Sequence, residues 1–523
     1  MTLYKNARVY TGEGFADAFG VQDGKFVAPE EALADEVVDL GGAFVVPGFI
    51  DSHMHLLNFG QALTVAPLHA NTTSLTDMIA CLGETPPGRG GWILGRGWNH
   101  DYFADVKRMP TRWDLDKVST THPVCAVRAC GHALVVNSRA LALLGLLDKV
   151  PQVEGGEVVC ENGVPNGIFL DNAMDLVYGA IPPPTLDQVK DMLRAGARAL
   201  NAYGITGCHS DDYCVFHGLE PETVNRAFRE LEAAGELTVR VYEQANFADP
   251  KQLQAFVEAG NNTGVGSDYF KIGPLKLLGD GSLGARTALL SKPYADDPTK
   301  MGLGIFTQEQ FDQLISYANR MGMQVAVHCI GDACLDMVLQ SFEKALAEYP
   351  RADHRHGIVH CQITRPDQLQ KIAGMGLHVY AQSIFLDYDI HIVKARVGKK
   401  LAESSYSWKT LKNWGATVSN GSDCPVELPN VLGGIQCAVT RRDLSGDGPY
   451  LPHEAFTVAE AIQSFTTAGA YASFEEGKKG KITPGYLADF TLLGADPFAV
   501  EPDQIKDIPI LGTWVGGKQV FGK

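Results

Sequence analysis

No two of the 11 cysteines stand in a C-x-x-C pair, and their number is odd. Several lie inside apolar runs: Cys208, Cys329 and Cys361. A disulfide framework is thereby disfavoured, and buried free thiols in a reducing compartment are expected. Long hydrophobic runs are missing too. None approaches the ~18–20 residues needed to cross a bilayer. The first residues, MTLYKNARVYTGEG, lack a basic region followed by an apolar stretch. No signal peptide is expected, and a cytoplasmic location follows. Positive charge is in deficit, with 44 Lys and Arg against 61 Asp and Glu, a net charge of -17. Phosphate binding needs clustered Lys and Arg, so nucleic acid and anionic membranes are excluded as partners and a small-molecule substrate is left. No G-x-G-x-x-G follows an early strand, which argues against a dinucleotide-binding domain. There is no internal repeat and no low-complexity tract. What remains is a 523-residue chain with 45% hydrophobic residues and a mean hydropathy of -0.05. Its length predicts one large domain with a satellite.

Five segments carry the chemistry: PGFIDSHMH, PLKLLGDG, QVAVHCIGD, HGIVHCQ and VSNGSDCP. Each is an apolar run that stops at a residue able to bind a metal, namely His53 and His55, Lys276, His328, His360 and Asp423. Further strands read as GITGCHSDD, LTVRVYEQAN and LHVYAQS. Between them lie stretches such as EQFDQLISYANRMG and LDMVLQSFEKALAEY, whose apolar residues recur at helical spacing. Eight strands alternating with helices predict an α/β fold of the (β/α)8 barrel type over 47–477. The count closes at eight only if about 60–185 is an insertion after the first strand. That stretch is rich in Trp, Gly and Pro and carries one strand of its own, PVCAVRAC. Both ends of the chain, 1–46 and 478–523, read as short strands broken by turns. They predict a small β-sandwich built from the two termini.

His53 and His55 are two apart on a strand, so they leave the same face. Beside Asp51 at a strand end, the pair reads as metal ligands; neutral imidazole suits Zn, Fe, Ni or Mn. His328 and His360 each end an apolar strand and are, singly, either core residues or ligands. Asp423 is either a cap or turn residue, or a ligand that also takes a water proton. Lys276 is either a salt-bridging lysine, with Asp280 as partner, or a lysine carbamylated by CO2. Lys271 competes with it but faces the other side of the strand.

This set, with PGFIDSHMHL, GRGWNHDYF, CGHALVVNSRAL, LKLLGDGSLGARTALL, VHCIGDAC and SNGSDCPVE, resembles the amidohydrolase superfamily. More narrowly it resembles the YtcJ-like (amidohydrolase-3) branch, with N-substituted formamide deformylase among the proteins it is similar to. The resemblance runs over nearly the whole chain. It implies a metal-bearing barrel, a terminal β-sandwich and hydrolysis of amide-type C–N bonds. Carried onto this sequence, it implies His53, His55, His328 and His360 as ligands, Lys276 as a carbamylated bridge, and Asp423 as ligand and catalytic base. One or two divalent metals per chain are expected, zinc first, with two requiring the Lys276 carbamate. Cys334 departs from the small or basic residue the branch leads one to expect after GDA.

Substrate contacts are expected from His132 beside Asn137, from Trp98 and Asp101 at a pocket mouth, from Arg286 near a substrate anion, and from His209 at the rim. The alternatives are a local turn or cap contact for His132, of even standing, loop packing for Trp98 and Asp101, a structural role at least as common for Arg286, and support of the metal ligands from behind for His209. The expected function is hydrolysis of a non-peptide C–N bond, amide or N-formyl, in a small molecule. Deamination and lactone or ester hydrolysis are the alternatives on the same site; a non-catalytic scaffold is disfavoured by the complete ligand set. A homodimer is the prior for a soluble enzyme.

Overall fold

The computed structural model describes residues 1–30, 32, 34–71, 73–129, 133–153 and 155–522. Eight parallel strands form its centre: β1 (Phe49–Met54), β2 (Ile205–Ser210), β3 (Arg240–Asn246), β4 (Phe270–Leu278), β5 (Val325–Cys329), β6 (Gly357–His360), β7 (His378–Ala381) and β8 (Val418–Asn420). Each pairs with the next in chain order. The two edges meet just past the strand ends, where Asp423 N donates to His53 O and His55 N donates to Cys424 O, both at 2.8 Å. Every position of β1 and β3 is buried, as a parallel strand covered on both faces requires. Gly421 permits the closure. A Cβ there would lie 2.6 Å from His53 N and 2.7 Å from Asp51 Oδ1.

The helices on the outside begin at well-made caps. Thr307 and Gln310 form a reciprocal capping box on Gln308–Arg320, and Asp249 caps Pro250–Glu258 with proline opening the helix. No helix among the described residues is long and apolar enough to cross a membrane.

The termini come together as two further sheets. One has four strands from Thr2–Lys5 to Glu36–Asp39. The other joins Arg8–Tyr10, Phe15–Ala16 and Phe44–Pro47 to Phe490–Leu493, Ile510–Val515 and Lys518–Gly522. Phe44–Pro47 runs antiparallel to Phe490–Leu493 and leads directly into β1. Their shared core holds Tyr4, Phe19, Phe26, Phe490 and Trp514. Arg240 of β3 grips Asp489 through two hydrogen bonds of 2.7 and 2.9 Å, both residues buried, so barrel and terminal sheets are tied by an ion pair.

The chain divides into two compact units, and everything above belongs to the first: Met1–Leu56, Ala197–Asp212 and Phe228–Lys523. The second comprises Leu57–Gly196 and Tyr213–Ala227. In place of the single strand read in the sequence, it holds a mixed sheet of six, running from Ala66–Pro67 to Val164–Asp171. One apolar cluster gathers Leu68, Met78, Trp98 and Phe103. Another gathers Trp92, Leu134, Leu141 and Phe169. Glycines hid Ile93–Trp98 from periodicity: it contains Gly95 and Gly97, whose Cβ positions would clash with Leu68 and with the His69 backbone.

Candidate metal centre

His53, His55, His328, His360 and Asp423 converge at the C-terminal ends of β1, β5, β6 and β8. One donor atom each from His53, His55 and Asp423 lies within 4.8 Å of the others. Asp423 Oδ1 is 3.3 Å from His53 Nε2 and 3.1 Å from His55 Nε2. His360 Nε2 stands 2.9 Å from His328 Nδ1. Two of the five hold a left-handed backbone, His360 at φ 73 and Asp423 at φ 58, a strain typical of functional positions.

The outer ring nitrogens decide what the inner ones can do. His53 Nδ1 donates to Gln244 Oε1 at 2.7 Å, His55 Nδ1 to the Asp211 carbonyl at 3.0 Å, and His360 Nδ1 to Gln382 Oε1 at 2.7 Å. His328 is turned the other way, with Nε2 donating to the Gly281 carbonyl at 3.1 Å. Gln382 Nε2 donates to Tyr380 O at 3.0 Å, which fixes the orientation of its amide. Each imidazole therefore commits its outer nitrogen to an acceptor and, when neutral, aims a lone pair inward. Four lone pairs and a carboxylate meet in one place, two of the lone pairs 2.9 Å apart. Such a set closes around positive charge, either a metal ion or, without one, the proton His55 shares with Asp423. Its nitrogen and oxygen donors fit a divalent first-row metal.

The electrostatics separate His55 from the other three rings. Burial, then the charge of Lys276, lowers the pKa of His53 and takes that of His328 to about 3. Burial and the neighbouring His328 hold His360 well below the ordinary value. Burial pulls His55 down as well, but its hydrogen bond to Asp423 prevails and lifts it to about 9. Asp423 stays far below the carboxylate range; burial opposes this, and the hydrogen bonds from His53 and His55 overcome it.

Lys276 is fully buried on β4, with Nζ 3.4 Å from Asp211 Oδ2. Asp280 is not its partner. That carboxylate accepts the backbone N–H groups of Leu289, Ile330 and Gly331, and burial raises it to about 7. Lys271 pairs with Glu475.

The expected substrate contacts fare differently. Trp98 is wholly buried in the second unit, its indole donating to Ala126 O at 2.9 Å, so it packs a core and lines no mouth. Asp101 is exposed and paired with Arg128 at 2.9 Å. Arg286 spends its charge on Asp296 through contacts of 3.1 and 3.0 Å and leaves no free fork for an anion. His209 lies inside the barrel and not at the rim, between the rings of Tyr242 and Tyr380, because its register sets it level with Tyr242, two residues before Gln244 on β3. Asn137 caps the helix Ser138–Leu144. His132 lies outside the described residues.

The amidohydrolase family matches residues 36–521. This chain belongs to it. The amidohydrolase YtcJ of Bacillus subtilis strain 168 is 34% identical over 504 residues, 95% of this chain and 92% of that one. N-substituted formamide deformylase of Arthrobacter pascens is 25% identical over 505 residues, 92% of this chain and 89% of that protein. Among solved structures, an uncharacterized metal-dependent hydrolase from Pyrococcus furiosus is 28% identical with a TM-score of 0.80, covering 95% of this chain and 99% of the other.

Three groups of this amidohydrolase escaped the sequence reading: Gln244, Gln382 and the Asp211 carbonyl, which orient the ligands. Alternation along RVYEQAN puts Tyr242, Gln244 and Asn246 on one face, and a polar residue near the C-terminal end of a buried strand was the available signal. Asp51 also does more than flank His53. It accepts the N–H groups of His53 and Ser422 and the Ser422 hydroxyl, clasping β1 to the segment after β8. Burial raises its pKa to about 7.

Proposed function

We propose that this amidohydrolase is a metal-dependent hydrolase that cleaves a non-peptide C–N bond, amide or N-formyl, of a small molecule. One observation carries the reading: four imidazoles, each with its outer nitrogen held from outside, turn their inner nitrogens together, two onto the Asp423 carboxylate and two 2.9 Å from each other. The substrate class is supported by the relative whose name is N-substituted formamide deformylase, and the metal dependence by the structural neighbour so described. His53, His55, His328, His360 and Asp423 would hold zinc. A divalent ion there supplies Lewis acidity and lowers the pKa of a water toward ~7.

The chain's own groups do the rest. Asp423 keeps Oδ1 toward the two imidazoles, and its Oδ2 has no protein partner among the described residues. Held ionised, it takes a proton from the attacking water and delivers it to the departing amine nitrogen. Water adds to the carbonyl carbon, the C–N bond breaks, and acid and amine leave. A second ion calls for an anionic oxygen on β4, which Lys276 provides if its amine adds CO2 and loses a proton.

The test is metal content per chain by elemental mass spectrometry on protein purified in bicarbonate without chelators. Two ions, falling to one in Lys276→Ala, support the carbamate-bridged form. One ion in both proteins removes the bridge and keeps the hydrolase. No ion after adding zinc, manganese or iron ends the reading. Formate release from N-substituted formamides then tests the bond.

A further inference from the structure

The second unit encloses a cavity of about 390 Å³ among residues of Leu57–Gly196 and Tyr213–Ala227, within the size range of small-molecule sites. Leu94, Val127, Ile181 and Phe216 give it an apolar wall. Arg89 lines it and is only 9% exposed. A guanidinium has five N–H donors. In Arg89 they meet one acceptor, the Pro182 carbonyl at 3.4 Å, and the face of Phe216 at 4.4 Å. No carboxylate lies within ion-pair distance among the described residues. Burial draws its pKa down to about 10, so it remains a cation at neutral pH.

Two of the other buried arginines are paired with carboxylates, and the third has more acceptors and lines neither of these cavities. Arg240 pairs with Asp489, and Arg355 with Glu476 and Asp353. Arg441, without a carboxylate, donates to the carbonyls of Tyr450 and Tyr406 and lies beside the Trp408 ring. The backbone fixes Arg89 where it is. Its turn runs through Gly90 (φ 58) and Gly91 (φ 78), and a Cβ on Gly90 would lie 2.5 Å from the Pro182 ring. A second cavity, about 210 Å³, shares Arg89 and Leu94 and adds Trp92; its carboxylate, Asp191, is already paired with Arg194 at 2.6 Å. The larger cavity adds exposed Arg96 against one exposed carboxylate, Asp175.

We propose that this cavity binds a small organic carboxylate, with its anionic end on Arg89 and its apolar part against Leu94, Ile181 and Phe216. One planar fork matches a carboxylate bidentately. A free phosphate would leave the apolar wall bare.

Binding is read without turnover, so its failure is separate from failure of the hydrolase reading. The metal-loaded full chain is titrated by calorimetry with phenylacetate, hexanoate, the neutral isostere phenylacetone and inorganic phosphate. Hydrogen–deuterium exchange locates each. A carboxylate should bind at least about ten-fold tighter than phenylacetone, as a charge-assisted contact implies. It should protect peptides carrying Gly88–Trp98 and Tyr178–Pro182. Arg89→Met should lose both effects while keeping its metal. The proposal is overturned by equal affinity for acid and ketone, by phosphate binding as tightly as phenylacetate, by protection confined to the ends of β1, β5, β6 and β8, or by no binding of either acid. If Arg89→Met does not fold, selectivity and protection in the unaltered protein decide alone.

Discussion

Gln244 and Gln382 sit outside the metal centre, yet they determine what His53 and His360 offer it. Each amide oxygen can only accept, so each imidazole must keep its proton on Nδ1. Gln244→Leu releases that constraint, and metal affinity should fall about 10–100-fold, read by competition with a chelating dye; unchanged affinity would refute the orienting role. Asp423→Asn keeps the size of the side chain and removes its capacity as a base. With metal content retained, turnover should drop by about 10²–10⁴; normal turnover would rule the role out. A proton count gives a third check. His55, raised to about 9 by Asp423, is protonated at neutral pH when no metal is present. His53, His328 and His360 have lowered values and are already neutral there. Metal loading at pH 7–8 should therefore release about one proton from His55 besides what the activated water gives up, and the His55 share should fade as pH rises past its own value, since ligands must shed protons to bind. Calorimetry in buffers of different ionisation enthalpy measures it. Near-zero release at pH 7 would show that His55 and Asp423 do not share a proton.

β5 and β6 were legible because each is an unbroken apolar run that stops at a polar residue, QVAV-His328 and GIV-His360. Burial on both faces writes itself into composition, and the ligand marks the end that faces the rim. In the second unit five of six strands went unread; in one of them, Ile93–Trp98, glycines placed for close packing leave neither cue. The hydrogen bonds of the site were hidden for another reason. His53 and Gln244 are far apart in sequence and meet only through the β1–β2–β3 register, which no local pattern encodes. Closure between β8 and β1 is an element-scale property that one residue controls. Gly421→Ala would set a methyl group against the His53 backbone, 2.6 Å from its nitrogen. Overpacking of that kind costs about 1–3 kcal/mol, and the displaced atoms belong to a ligand strand. Chemical denaturation should show this loss, and metal affinity should fall with it. A variant of full stability with full metal content would mean that the two edges can part without disturbing His53.

At the scale of the whole molecule, chemistry and recognition are assigned to different units. The metal ligands all belong to the first unit, while Arg89 and its cavity belong to the second. The second unit has apolar clusters of its own, one around Trp98 and Phe103, the other around Trp92 and Phe169. A bound ion stabilises only the structure whose ligands it joins, by about 2.7 kcal/mol when present at a hundred times its dissociation constant. Chelation should therefore accelerate deuterium uptake in peptides covering β1, β5, β6 and β8, by up to about a hundred-fold. Peptides covering Ile93–Trp98, Val124–Arg128 and Val164–Asp171 should exchange as before. Uptake that rose equally in both sets would mean that the two units open together. The sheet of the second unit would then depend on the metal despite sharing none of its ligands.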